Sequence, residues 1–251
     1  MQYPTRGRAA ALSLVVLGLL SLSTAGEAAA QDSGKRLHTT GNVSFVNTAG
    51  NSDLTTLSGG ELLTYTTADS LWKLQQTAGA VYGHSQDSTT ASAFNAGGRL
   101  DRTLSSRLSA FAGASWMRNR FAGISRRFEE PIGLAYQLLA LARDQLSLEG
   151  GASFTQQRST AGVSDNFVAA RAAGNYKHLL TDKAFVSQFV EFLPNLKTSK
   201  DLRVNSETAI VAPISTALAL KASYIIHFDN LPEPGFKKTD RILSSGLQVT
   251  F

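Results

Sequence analysis

The sequence predicts an all-β chain closed into an antiparallel transmembrane β-barrel of twelve strands, with both ends in the periplasm. Three observations lead there. The final run alternates Leu243, Leu247, Val249 and Phe251 with Ser244, Gly246, Gln248 and Thr250, the period-two pattern of a strand with one face to lipid and one to a polar lumen. Many strand-like runs exceed the five or six residues usual in soluble sheets and reach the roughly 9–11 that a tilted membrane strand needs. Apolar runs beyond the N-terminal segment, such as 138–142, last only a few residues, too short to cross a bilayer as a helix.

The elements follow in order. Arg6 and Arg8 precede an apolar stretch over 9–22, and Ala28-Ala29-Ala30 offers an A-x-A site before Gln31. This reads as a cleaved signal peptide over residues 1–30, with 31–251 as the barrel domain. Ser13, Ser21, Ser23 and Thr24 break the stretch too often for a membrane anchor. Strands are expected near 41–47, 54–67, 71–84, 90–104, 107–119, 128–141, 145–157, 166–179, 183–193, 202–211, 216–228 and 239–251.

Alternation is clearest in the eleventh strand, where Leu218, Leu220, Ala222, Tyr224, Ile226 and Phe228 oppose Lys221, Ser223, His227 and Asp229. The third and seventh behave likewise. In the second strand Glu61 falls in phase with Leu57, Leu63 and Tyr65, and in the ninth Glu191 is in phase with Phe185 and Phe189; a bulge or inward-facing aromatics would account for this.

Connections test the topology. Those at 68–70, 105–106, 142–144, 181–182 and 212–215 are short and fall on every second connection. Those at 120–127, 158–164, 195–201 and 229–238 are longer, as in barrels with short periplasmic turns and longer outer loops. Connections 49–53 and 86–89 depart from that rule by being compact. Trp72, Tyr82, Trp116, Tyr136 and Tyr224 are the candidates for interfacial aromatic girdles. Leu247, Val249 and Phe251 form the candidate C-terminal assembly signal.

Composition narrows the function. There are no cysteines, hence no disulfide framework or thiolate metal site. The formal charge of +5 drops by one when the leader's Arg6, Arg8 and Glu27 are removed. Lys and Arg are scattered singly, without the clustered basic and aromatic face of a nucleic-acid binder. Asn51 and Asp53 flank a glycine-assisted turn and supply far fewer oxygens than the six to eight that calcium takes.

Candidate lumen-facing groups are Arg99, Asp101, Glu149, Arg171, Asn175, Lys177, Glu207, Lys221, His227 and Asp240, a set of both signs. Such a set forms either an ion-paired plug or a charged constriction. Twelve strands lie between barrels that side chains fill and barrels that enclose a channel.

Several stretches carry a resemblance: Gly41-Asn42-Val43-Ser44, then 47–59 (NTAGNSDLTTLSG), 118–124 (RNRFAGI), Leu148-Glu149-Gly150-Gly151, and most specifically 232–240 (PEPGFKKTD) leading into the last strand. In these the chain resembles a domain-of-unknown-function family of porin-like barrels from Gram-negative bacteria, described as salt-induced outer-membrane proteins. The likeness covers nearly all of 31–251 and lapses at 160–164. It implies an outer-membrane location and a barrel, with no catalytic residues to carry over. Expected partners are lipid, lipopolysaccharide and the barrel-assembly machinery; no cofactor, metal or nucleic acid is expected.

The expected role is therefore non-catalytic, either envelope integrity under stress or passive passage of small solutes. One alternative is a lipid-modifying barrel hydrolase. It would need a Ser–His pair at one rim with an orienting group behind the histidine, and His38, His84, His178 and His227 are the available bases. A second alternative is a secreted soluble β-sandwich, in which the apolar faces would meet each other across a core.

Overall fold

The computed structural model describes residues 36–48, 54–85 and 88–250. The expected signal peptide, the expected Asn51/Asp53 turn and Phe251 lie outside the described residues, as does the side chain of His84.

The described chain is a meander of twelve strands: β1 (Leu37–Thr48), β2 (Leu54–Thr66), β3 (Trp72–Ser85), β4 (Ser88–Thr103), β5 (Leu108–Asn119), β6 (Ile124–Ala140), β7 (Asp144–Ser159), β8 (Ser164–Leu179), β9 (Phe185–Pro194), β10 (Leu202–Pro213), β11 (Leu218–Asp229) and β12 (Thr239–Thr250). Each pairs antiparallel with its neighbour, and β1 closes onto β12 from Thr40 opposite Thr250 to Ser44 opposite Gly246. Closure removes the free edges that an open sheet would leave unpaired, which is what lets strands stand in lipid.

The twelve strands stand where the alternation put them, with one systematic difference: strands extend into segments expected to be loops. Between β5 and β6 only a single 3-10 turn, Arg120–Ala122, and Gly123 remain, with register shifts at Met117/Asn119 and Ile124/Arg126 absorbing the mismatch. Between β7 and β8 only 160–163 is left, turning on Gly162 at φ 88°. Of the described connections at that end, only 195–201 and 230–238 are long. The reason is that backbone groups near the barrel rim are best satisfied by continuing the ladder.

The two irregular strands resolve by facing. On β9, Phe185 and Phe189 point inward together with Glu191, being register partners of Val211, Glu207 and Asn205 on β10. On β2, Glu61 shares the outward face with Leu57, Leu63 and Tyr65, between Gly41 of β1 and Ala78 of β3. No bulge is needed in either strand.

The outer face is apolar and accessible: Ile132 is 63% exposed, Leu220 53% and Leu243 73%. A soluble sandwich would bury these groups against a second sheet; here they make the outward band of a membrane barrel. Trp72 and Tyr136 stand outward near the short-connection end, joined there by Tyr65 and Tyr176, while Tyr82 and Trp116 stand outward near the other end. Tyr224 is outward but mid-strand, opposite Leu243 and Thr208, so it is a wall residue and not part of a girdle.

The β2–β3 turn shows how a short connection is held. Thr67 Oγ1 donates to Asp69 Oδ1 (2.5 Å), the Leu71 N–H donates to the same oxygen (3.0 Å), and Ser70 takes φ 56°. A left-handed residue other than glycine is uncommon, and here the Asp69 bonds fix the backbone around it. The Thr67 hydroxyl, and then the Leu71 amide, hold the Asp69 carboxyl below its ordinary 3.8. A depressed carboxyl contributes order above its ordinary value and loses it as the pH falls through the folded value.

Two outcomes are expected. Leu243→Arg, mid-strand on the lipid face, should destabilise the folded barrel by roughly 2–4 kcal/mol, whereas Thr77→Arg, on the exposed inner face, should change stability little; urea titration in vesicles with heat-modifiable mobility reads both, and equal damage would refute the facing. The protection of the Leu71 amide, its exchange rate relative to the intrinsic rate at the same pH, should fall as the pH drops through the folded value of the Asp69 carboxyl, which lies below 3.8, and Asp69→Asn should abolish that change in protection.

Candidate lumenal site

Inside the barrel, side chains from non-adjacent strands meet. Arg99 (β4) binds Asp101 through Nη2–Oδ1 at 2.8 Å and reaches across β5 and β6 to Glu149 (β7) through Nη1–Oε2 at 2.9 Å. Arg171 (β8) binds the same Glu149 oxygen at 2.7 Å and Glu191 (β9) through Nε–Oε1 at 2.7 Å. Asn205 (β10) donates Nδ2–H to Glu191 Oε2 at 2.9 Å, and His227 (β11) Nδ1 lies 2.9 Å from Asn205 Oδ1. Because the Asn205 amide turns its NH₂ toward the carboxylate, its oxygen faces His227, which must then carry the proton on Nδ1. Asp240 (β12) faces inward opposite His227 in the register. The result is a transverse belt from β4 to β11, alternating in sign from Asp101 to Glu191 and continued through the Asn205 amide to His227.

An aromatic floor supports it. The Phe111 ring (β5) lies under both guanidinium groups, 4.1 Å from Arg99 and 5.1 Å from Arg171, a cation–π arrangement strengthened by burial. Gly133 (β6) makes room for it, since a Cβ there would come within 2.9 Å of Phe111 Cζ and 2.3 Å of the Gly150 carbonyl oxygen.

A second tier lies toward the long-connection end. Arg203 (β10), 5% exposed, binds Glu129 (β6) and, at 3.2 Å, Thr155 Oγ1 (β7), with its guanidinium over the Phe167 ring. Arg127 donates to Gln157 Oε1 at 2.7 Å, and Gln157 in turn donates to Glu233 Oε1 at 2.9 Å. Glu233 belongs to the 230–238 connection, which crosses the mouth: a Cβ on Gly123 (φ 75°) would meet Phe236 at 2.7 Å and Glu233 at 2.8 Å. That connection also donates from Asn230 to the Lys200 carbonyl at 2.9 Å.

Of the residues expected in the lumen, Arg99, Asp101, Glu149, Arg171 and His227 join the belt. Asn175, Lys177, Glu207 and Lys221 line a cavity of about 420 Å³ at the short-connection end, where Lys221 pairs with Glu207 at 3.0 Å and Lys177 lies over Phe185 at 4.2 Å. Sequence reasoning missed Arg127, Glu129, Glu191, Arg203 and Asn205. Arg203 and Asn205 are in phase with Glu207, so the same alternation reached them; Arg127 was assigned to a loop that is strand.

The lumen is asymmetric. Inward Ser153, Thr155, Phe167, Ala169, Ala209 and Val211, on β7, β8 and β10, are buried, whereas inward Thr77, Asn95 and Ser115, on β3 to β5, are exposed. One side of the interior is packed and the other is open and lined by small neutral polar groups.

The hydrolase alternative has one partial match. His178 Nδ1 lies 2.8 Å from Asp144 Oδ1, which also accepts from Tyr176 at 2.7 Å, outward at the short-connection rim. Among the described residues no hydrogen bond joins a serine hydroxyl to a histidine, and no group of histidines and carboxylates could hold a metal.

Comparison with known proteins agrees with the geometry. The chain is 28% identical over 204 residues to the uncharacterized protein YdiY of Escherichia coli K12, covering 80% of this chain and 77% of that one. Among solved structures it is similar to the translocator domain of autotransporter NalP from Neisseria meningitidis, with TM-score 0.50, 12% identity and coverage of 96% and 95%. It is also similar to the KdgM porin, with TM-score 0.47, 10% identity and coverage of 86% and 99%. A family model matches residues 41–251, and with nearly the whole barrel inside that match the chain belongs to the family described as protein of unknown function DUF481.

Proposed function

We propose that this barrel sits in a Gram-negative outer membrane with its short connections and both strand ends toward the periplasm, and passes small polar solutes along a narrow off-axis path without catalysis. The observation that carries this reading is the asymmetric lumen: the belt fills one side while Thr77, Asn95 and Ser115 keep the other side wet. Belt charges of both signs bind one another, so the path is weakly selective. In that orientation Leu247, Val249 and Phe251 present the terminal signal to the assembly machinery. Lipid meets the outward wall, and lipopolysaccharide meets the long-connection rim.

A second reading, a closed barrel serving envelope integrity, is favoured by the 230–238 connection lying over the mouth. Planar-bilayer recording of the refolded barrel separates the two. Small discrete steps are expected from the parent. Glu149→Gln should enlarge them severalfold and shift selectivity toward anions, because Arg99 and Arg171 lose the carboxylate they share. Silence from a demonstrably folded barrel, in parent and variant alike, would refute passage and leave the closed-barrel role.

A further inference from the structure

The outer wall carries a second polar feature, unrelated to the lumen. Arg126 on β6 and Arg158 on β7 are direct register partners, both exposed on the outward face near the long-connection end. Like charges directly opposite on one sheet face repel, with Cβ atoms only about 5 Å apart. Among the described residues neither arginine is in an ion pair; the lumenal carboxylates face the other way, and the outward Glu130 stands two outward steps deeper, opposite Phe154. Arg118 on β5 stands in the same outward row, beside the register shift that separates Met117 from Asn119, and it too has no carboxylate partner among the described residues.

Two features give this row the shape of a site. A cavity of about 400 Å³ opens between β6, β7 and β8, lined by Arg126, Arg158, Gln156, Asn166 and Phe128. One outward step deeper than the arginines, Phe128 (43% exposed) stands level with Gln156 and Asn166, with Trp116 beside it in the register; a further step deeper, Phe154 (38% exposed) pairs with Glu130. The arginines therefore stand at the rim, and the aromatic groups, accompanied by the two amides, begin one step deeper, which suits an amphiphile lying against the wall with its charged end at the rim.

We propose that Arg118, Arg126 and Arg158 bind the phosphate of a phosphorylated glycolipid in the leaflet at the long-connection end, with its acyl chains along Trp116, Phe128 and Phe154. Planar guanidinium groups suit phosphate oxygens through paired N–H donors, and a shared anion turns the Arg126–Arg158 repulsion into attraction. Gln156 and Asn166 supply donors and acceptors for sugar hydroxyls. Naming a glycolipid, and not another phosphate amphiphile, rests on the outer-membrane orientation proposed above.

Native mass spectrometry of the full barrel released from detergent tests this, with bisphosphorylated lipid A, its dephosphorylated form, phosphatidylglycerol and inorganic phosphate as probes. Lipid A should be retained by the parent. Binding should fall about tenfold or more in the double variant Arg126→Gln/Arg158→Gln, survive in good part in Arg126→Lys/Arg158→Lys, and be unchanged in Arg143→Gln at the opposite rim. Equal retention of the dephosphorylated form, or equal loss in Arg143→Gln, would overturn the site. Equal retention of phosphatidylglycerol would overturn the glycolipid assignment, and binding of inorganic phosphate alone would overturn the lipid assignment. Heat-modifiable mobility of each variant confirms that the barrel is folded, and because the readout is independent of conductance, a silent barrel that still holds lipid A would refute solute passage and leave this site standing.

Discussion

Closure of the hydrogen-bond ladder is the constraint on which the rest of this molecule depends. In hydrocarbon every backbone N–H and C=O needs a partner within the protein, and the β1–β12 pairing, from Thr40–Thr250 to Ser44–Gly246, closes the ring of strands. Once the sheet is closed, each strand has one face to lipid and one to the interior, so each residue's environment follows from its parity. Strands lengthen at the expense of loops for the same reason, as at the β5–β6 and β7–β8 connections.

Parity concentrates charge inside, and charge in a confined interior must be answered there. The belt does so by sharing: Glu149 accepts from two arginines, Glu191 from an arginine and an amide, and Phe111 offers its ring face to both guanidinium groups. A group that serves two partners cannot be removed without leaving another charge unpaired, which costs far more than the pair's net worth. The upper tier repeats the arrangement with Arg203 between Glu129, Thr155 and the Phe167 ring. Between them the two tiers pack one side of the lumen and leave the other to small polar residues.

The outer wall answers its polar groups differently. Gln188, Ser206 and Thr208 lie outward on β9 and β10 and satisfy one another, with Gln188 donating to Ser206 at 2.9 Å and accepting from Thr208 at 2.5 Å. The arginine row on β5 to β7 has no such internal answer. It stands above an aromatic row, which is why we propose that an anion from the headgroup layer pairs with it.

Strand number, order and facing were legible in the sequence because period-two alternation survives wherever one face meets lipid, as along Leu218 to Phe228 and Leu146 to Phe154. The inward set Arg99, Asp101, Glu149, Arg171 and His227 was legible for the same reason. What alternation could not say is which inward groups touch. Arg99 and Glu149 are fifty residues apart in the chain and three strands apart in the sheet, and only closure and register bring them together. Loop extents, the 230–238 connection over the mouth and the Arg126–Arg158 juxtaposition were likewise decided by register, a property of strand pairs that no single strand's residues contain. Composition and alternation determined that this chain is a barrel with a charged interior; tertiary structure alone determined which charges pair and which part of the lumen stays open.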